Sequence, residues 1–139
     1  MTTAAGRVRL LVWLLRFAGA ITLTAFLAMV MPFAWMQATH EWLGLGVFPE
    51  TPIVEYLARS IAALYGFHGA LLMVISRDPV RHRAVIWFVA AMNTLFGAML
   101  VAIDYDAGLP ARWTLLEGPP IVAFGIVIAF LNRSTPSPR

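Results

Sequence analysis

The sequence predicts an all-α integral membrane protein: a transmembrane four-helix bundle with a short outer interfacial helix between spans 1 and 2. Three observations lead there. Of the 139 residues, 60% are hydrophobic and only 12% charged, about half the charge of an ordinary soluble domain. The mean hydropathy is +0.79. Apolar runs of about 20 residues recur along the chain, the length that crosses a hydrocarbon core of about 30 Å. The same apolar fraction excludes a disordered chain, and four spans leave room for a single transmembrane domain, residues 1–139.

The elements follow in order. Span 1 covers about 10–31 and stops at Pro32. Span 2 covers about 52–76, with Thr51 placed to cap it and Pro52 as its first helical residue. Span 3, about 84–103, carries no charge. Span 4 ends at Leu131, and its start is open: Pro119-Pro120 interrupts the run 113–131, so the helix begins either at Trp113 or at the prolines. Between spans 1 and 2, Trp35 and Trp42 stand seven residues apart, hence on one helical face, and Gly44 and Gly46 offer a stop. The segment at about 33–46 therefore reads as a helix lying in the interface, either as an anchor or as a lid.

Charge orients the spans. Arg7 and Arg9 precede span 1, Arg77, Arg81 and Arg83 fill the loop between spans 2 and 3, and Arg133 and Arg139 follow span 4. The other two loops carry Glu41, Glu50, Asp104 and Asp106 with only Arg112. The positive-inside rule then puts both termini in the cytoplasm of a multi-pass protein, expected in the bacterial inner membrane. A cleaved signal peptide is not expected, because the first apolar stretch is long, contains Arg16 and lacks a small-x-small site.

Composition also excludes chemistries. All ten basic residues are Arg, and the net charge is only +3, so the arginines serve orientation rather than nucleic-acid binding. The absence of Cys removes disulfides, thiolate metal sites and thiol relays. No Ser-His-Asp arrangement, phosphate loop or zinc helix motif is present, and Asp104-Tyr105-Asp106 lacks the Gly and terminal Glu of a calcium loop, so it reads first as solvated loop charge. No catalytic residue and no metal site is assigned.

Inside a membrane, helices meet through small residues. Stripes at i+4 spacing run through Arg16, Ala20, Thr24 and Ala28 on span 1 and through Ala58, Ala62, Gly66 and Ala70 on span 2, with Glu55 and Arg59 on the same face. They continue through Ala90, Thr94, Ala98 and Ala102 on span 3 and through Glu117, Ile121, Gly125 and Ala129 on span 4. These stripes are expected to face the interior. Arg59 and Glu117 fall at similar outer depth and are natural partners, either as a structural clasp or, joined by Glu55, Asp104 and His40, as a polar outer pocket for a headgroup, a quinone carbonyl or a cation. Arg16, about 9 Å into the cytoplasmic half at 1.5 Å per residue, can snorkel to water or bind an anionic headgroup. His68 lies among Leu57, Ile61, Leu64, Leu72 and Ile75. It is satisfied internally by Asn93, meets a partner, or ligates a haem.

With Pro32 closing span 1, Arg59 inside the start of an Ala/Gly-rich span 2, Gly66 and Gly69, and the short loop Arg77-Asp78-Pro79, the chain resembles the DoxX-like group of small four-helix bacterial membrane proteins. That resemblance implies a four-helix membrane fold and an association with quinone-linked sulfur or thiol oxidation. Without Cys, this chain departs from any thiol relay of its own. The expected role is a non-enzymatic accessory or scaffold subunit of a membrane assembly, in contact with membrane lipids and with other subunits or copies of itself, and holding a lipid or quinone in the outer pocket. The alternatives are a small transporter or ligand-binding protein using Arg59 and Glu117, or a redox subunit with a cofactor at His68.

Overall fold

The computed structural model describes residues 3–136, and every regular element among them is a helix: α1 (Ala4–Leu23), α2 (Ala25–Met29), α3 (Phe33–Trp42), α4 (Pro52–Ile75), α5 (Arg83–Asp106) and α6 (Ala111–Asn132). Four stretches are long and apolar enough to cross a membrane: Ala4–Met29, Pro52–Ile75, Arg83–Asp106 and Ala111–Asn132. The chain is a small multi-pass membrane protein. It falls into two compact units, one made of Met1–Arg16 with Val74–Arg139 and the other of Phe17–Met73.

In the Phe17–Met73 unit, the first span is broken at Thr24, which the apolar pattern did not announce. The Thr24 hydroxyl donates to the Ile21 carbonyl at 2.6 Å, and Thr22 donates to Ala18 at 2.8 Å. Two hydroxyls competing for backbone acceptors in one turn interrupt the helical ladder. The first span packs on α4 at its glycines. A Cβ on Gly69 would stand 2.6 Å from the Leu23 nitrogen and 2.8 Å from the Gly19 carbonyl. Gly66 lies under the Phe26 ring, which meets Phe67 edge-on at 5.4 Å. Past Pro32, α3 ends as expected at the glycines: Gly44 has φ +74°, its N–H donates to Glu41 at 2.9 Å, and the next N–H, Leu45, reaches His40 at 3.1 Å. This is the paired closure of a Schellman motif.

In the other unit, α5 and α6 form an antiparallel hairpin with a regular register. The Asn132 amide donates to the Arg83 carbonyl at 3.0 Å. Gly125 faces Ala90, whose carbonyl would be 2.7 Å from a Cβ there, and Gly97 faces the Gly118 carbonyl at the same 2.7 Å. The contacts recur every seven residues on both helices, the 3.5-residue repeat that keeps two helices face to face. Asp78 closes the loop before α5 by accepting from the Arg81 N–H at 3.0 Å. At the same end, Arg7 donates to the Ser134 hydroxyl at 3.4 Å and lies over the Phe130 ring.

The strict i+4 stripes need correction. Successive i+4 positions wind around a helix by about 40° each, so a run of four leaves the contact face. On the first span Arg16, Ala20 and Thr24 are exposed, while Leu11, Leu15 and Gly19 are buried. On α5, Ala90 is buried but Ala98 and Ala102 are exposed, and the face turns to Asn93, Gly97 and Asp104. Ala62 and Gly66 of α4 and Gly125 of α6 are buried as expected. On span 4, α6 begins at Ala111 and runs through Pro119 and Pro120. The missing N–H groups release the Leu115 and Leu116 carbonyls from the helical ladder without ending the helix.

Candidate functional site

Asp104 sits in the last turn of α5. Its backbone carbonyl accepts the Leu109 N–H at 2.9 Å, Gly108 adopts φ +67° and donates to Tyr105 at 3.2 Å, and so the turn is locked by a second Schellman closure. The helix phase that exposes Tyr105 and Asp106 turns the Asp104 side chain inward, where it is only 3% exposed. Solvated loop charge therefore describes Asp106 but not Asp104. The Asp104 Oδ2 atom is buried and has no hydrogen-bond partner among the described residues.

The four-residue loop 107–110 ends at Pro110, the N-cap of α6, whose carbonyl accepts from the Trp113 N–H at 2.8 Å. Glu117, one turn beyond Trp113, is half-buried. The Trp113 indole N–H donates toward the Glu117 carboxylate, and the Asp104 carboxylate lies near enough for the two negative charges to repel. Two acceptors of like charge, one with an orphaned oxygen, stand beside each other near the hairpin loop. The pair is chemically suited to a group that brings N–H or O–H donors or a positive charge. Trp113 was not picked out from the sequence, although its i−4 spacing from Glu117 was available as a signal.

Arg59 belongs to the other unit and is built differently. Its Nε and Nη2 donate to Glu55 Oε1 at 3.0 and 2.7 Å, Nη2 also donates to the Met31 carbonyl at 3.1 Å, and Nη1 donates to the Met29 carbonyl. The reason lies in the end of the first span: the extended backbone of Pro32 (ψ 145°) stops the helix, so its last carbonyls lack helical N–H donors and need another donor. An arginine on the neighbouring helix provides it and complements the negative end of the helix dipole. Glu55 and Arg59 are brought together as expected. Glu117 and Asp104 are brought together in the other unit, and Arg59 and Glu117 each find partners inside their own unit.

His40 is part of the α3 closure: its Nδ1 is 2.8 Å from the Gly46 carbonyl and its ring meets Phe48 edge-on at 5.3 Å. His68 is half-buried on α4, and the neighbouring bulky positions divide, with Leu57, Ile61 and Leu64 exposed and Leu72 and Ile75 buried. Asn93 is buried on α5 and donates to the Val89 carbonyl at 2.8 Å. Comparison with protein-family models, with curated proteins and with solved structures finds no match to this chain.

Proposed function

We propose that the protein is a small ligand-binding membrane protein that holds a hydrogen-bond-donating or cationic group at Asp104 and Glu117, in the outer half of the membrane. The observation that carries this reading is the buried Asp104 oxygen without a partner, set beside a second carboxylate. Leaving a carboxylate oxygen buried and unpaired costs several kcal/mol unless a proton, a cation or a donor completes it. An ammonium-bearing lipid headgroup and the hydroxyl of a reduced quinone share the required donor chemistry. The quinone arm also follows from the resemblance to DoxX-like proteins. The arginine distribution supports the outer placement, and reporter fusions at Asp78 and Val47 check it: the first should report cytoplasm and the second the outside.

Native mass spectrometry of the protein purified in mild detergent tests the proposal. The wild type should retain one small molecule, identified as lipid or quinol by its mass, and Asp104→Asn and Glu117→Gln should each lose it. Retention indifferent to both substitutions overturns the reading. A co-purifying protein with no retained small molecule would favour the accessory or scaffold subunit, and a Soret band would favour a haem at His68.

A further inference from the structure

A second feature lies at the opposite end of the hairpin. Alongside the contact of Gly125 with Ala90, α5 and α6 line an open groove of about 660 Å³. Its floor is of small residues, among them Ala91, Ala98 and Ala129, and its walls are bulky, with Trp87, Leu95 and Phe130. The groove is mainly apolar, the one hydroxyl in its lining, that of Thr94, being held by the Ala90 carbonyl at 2.9 Å, and Arg133 lies at its end, just past the last turn of α6. A second cation stands at that end, since the Arg7 guanidinium lies 5.8 Å from the centre of the Phe130 ring that walls the groove.

We propose that this groove binds one acyl chain of an anionic phospholipid, with Arg133 and Arg7 holding its phosphate. Length and charge carry the assignment together. From Trp87 to Ala98 the groove follows eleven residues of α5, about 16 Å at the helical rise of 1.5 Å per residue. That is about half of a 30 Å hydrocarbon core, the depth of one leaflet. The arginines sit at the end where that leaflet's headgroups lie, and Trp87 stands on the same side, where indole rings prefer the headgroup level. A partner helix would use the same apolar walls but would find no counter-charge requirement at their end. A phospholipid with a net negative charge satisfies both the apolar length and the two cations.

The test is independent of the Asp104–Glu117 site. The purified protein in mild detergent is titrated with phosphatidylglycerol and with phosphatidylcholine of the same chains, and adducts are counted by native mass spectrometry. Phosphatidylglycerol should bind in clear preference to phosphatidylcholine. Arg133→Ala and Arg7→Ala should each lower that preference about fivefold, the weight of one surface arginine on an anionic lipid, while Arg133→Lys should keep most of it. Ala98→Leu fills the groove from an exposed position, so it should reduce the binding of both lipids; Ala91→Leu repeats the test from the next turns of the same floor. Equal binding of the two lipids by the wild type overturns the proposal. So does phosphatidylglycerol binding that survives both Arg133→Ala and Ala98→Leu in well-folded protein. A dimer that Ala98→Leu dissolves would give the groove to a second copy of the chain, and would overturn it as well.

Discussion

Arg59 and Asp104 are both charged residues set inside the ends of membrane spans, yet their surroundings differ in kind. Every nitrogen of the Arg59 guanidinium donates to a named acceptor: Glu55, the Met29 carbonyl and the Met31 carbonyl. Asp104 is more deeply buried and has an oxygen that no described residue satisfies. The difference teaches how to sort intramembrane charges. A saturated charge that caps a broken helix is part of the scaffold, whereas an unsaturated one has capacity left for something else.

The contrast can be broken most severely at Gly69. The reach of Arg59 to the end of the first span depends on α4 lying close against it, and a side chain on Gly69 would strike backbone atoms at 2.6 and 2.8 Å. Gly69→Leu should therefore abolish a cooperative thermal transition in detergent. Arg59→Ala comes next. It strands the Met29 and Met31 carbonyls and Glu55, and charged hydrogen bonds contribute about 1.5–3 kcal/mol each, reduced here by partial exposure. A net loss of about 3 kcal/mol is expected in the same melt, and Arg59→Lys should not restore it, because an ammonium cannot span three acceptors in a plane. Asp104→Asn should go the other way. Removing a buried, unsatisfied charge with an amide of the same shape should leave stability unchanged or raise it by up to about 1 kcal/mol, while ligand retention falls. Destabilisation comparable to that of Arg59→Ala would mean that Asp104 is scaffold too. The smallest effect belongs to Leu71→Ile on the exposed side of α4, expected within about 0.5 kcal/mol.

Much of the architecture was legible because the membrane simplifies the code. The number of spans, the start of α4 at Pro52 and the stop of α3 before Gly44 follow from hydropathy and from residues with one backbone preference. The prolines of α6 were ambiguous for a physical reason: a missing N–H weakens a helix without saying whether its neighbours hold it together. The stripes were half right. Their residue types were correct, but a repeated i+4 step drifts, and only alternating three- and four-residue steps, which add to seven, keep Ala90, Asn93, Gly97 and Asp104 on one face. Glu55, Arg59, Asp104 and Glu117 were legible as charges set inside the ends of the spans, and each has defined surroundings. How they group was not legible, because Arg59 answers to backbone carbonyls that carry no letter in the sequence. Pro32 was the one sign that those carbonyls would need a donor.

The register of the hairpin has a consequence for how this segment tolerates change in length. Arg83, Ala90 and Gly97 meet Asn132, Gly125 and Gly118 at matching seven-residue steps. One residue inserted between Ala90 and Gly97 rotates everything after it by about 100°, carrying Gly97 and Asp104 off the contact face while leaving Ala90 in place. One residue inserted between Leu109 and Pro110, past the Gly108 closure, rotates neither helix. The two helices thus behave like a pair of meshed gears: the connection can gain length only past its Gly108 closure, and the helices can gain or lose sequence only in whole turns of the mesh.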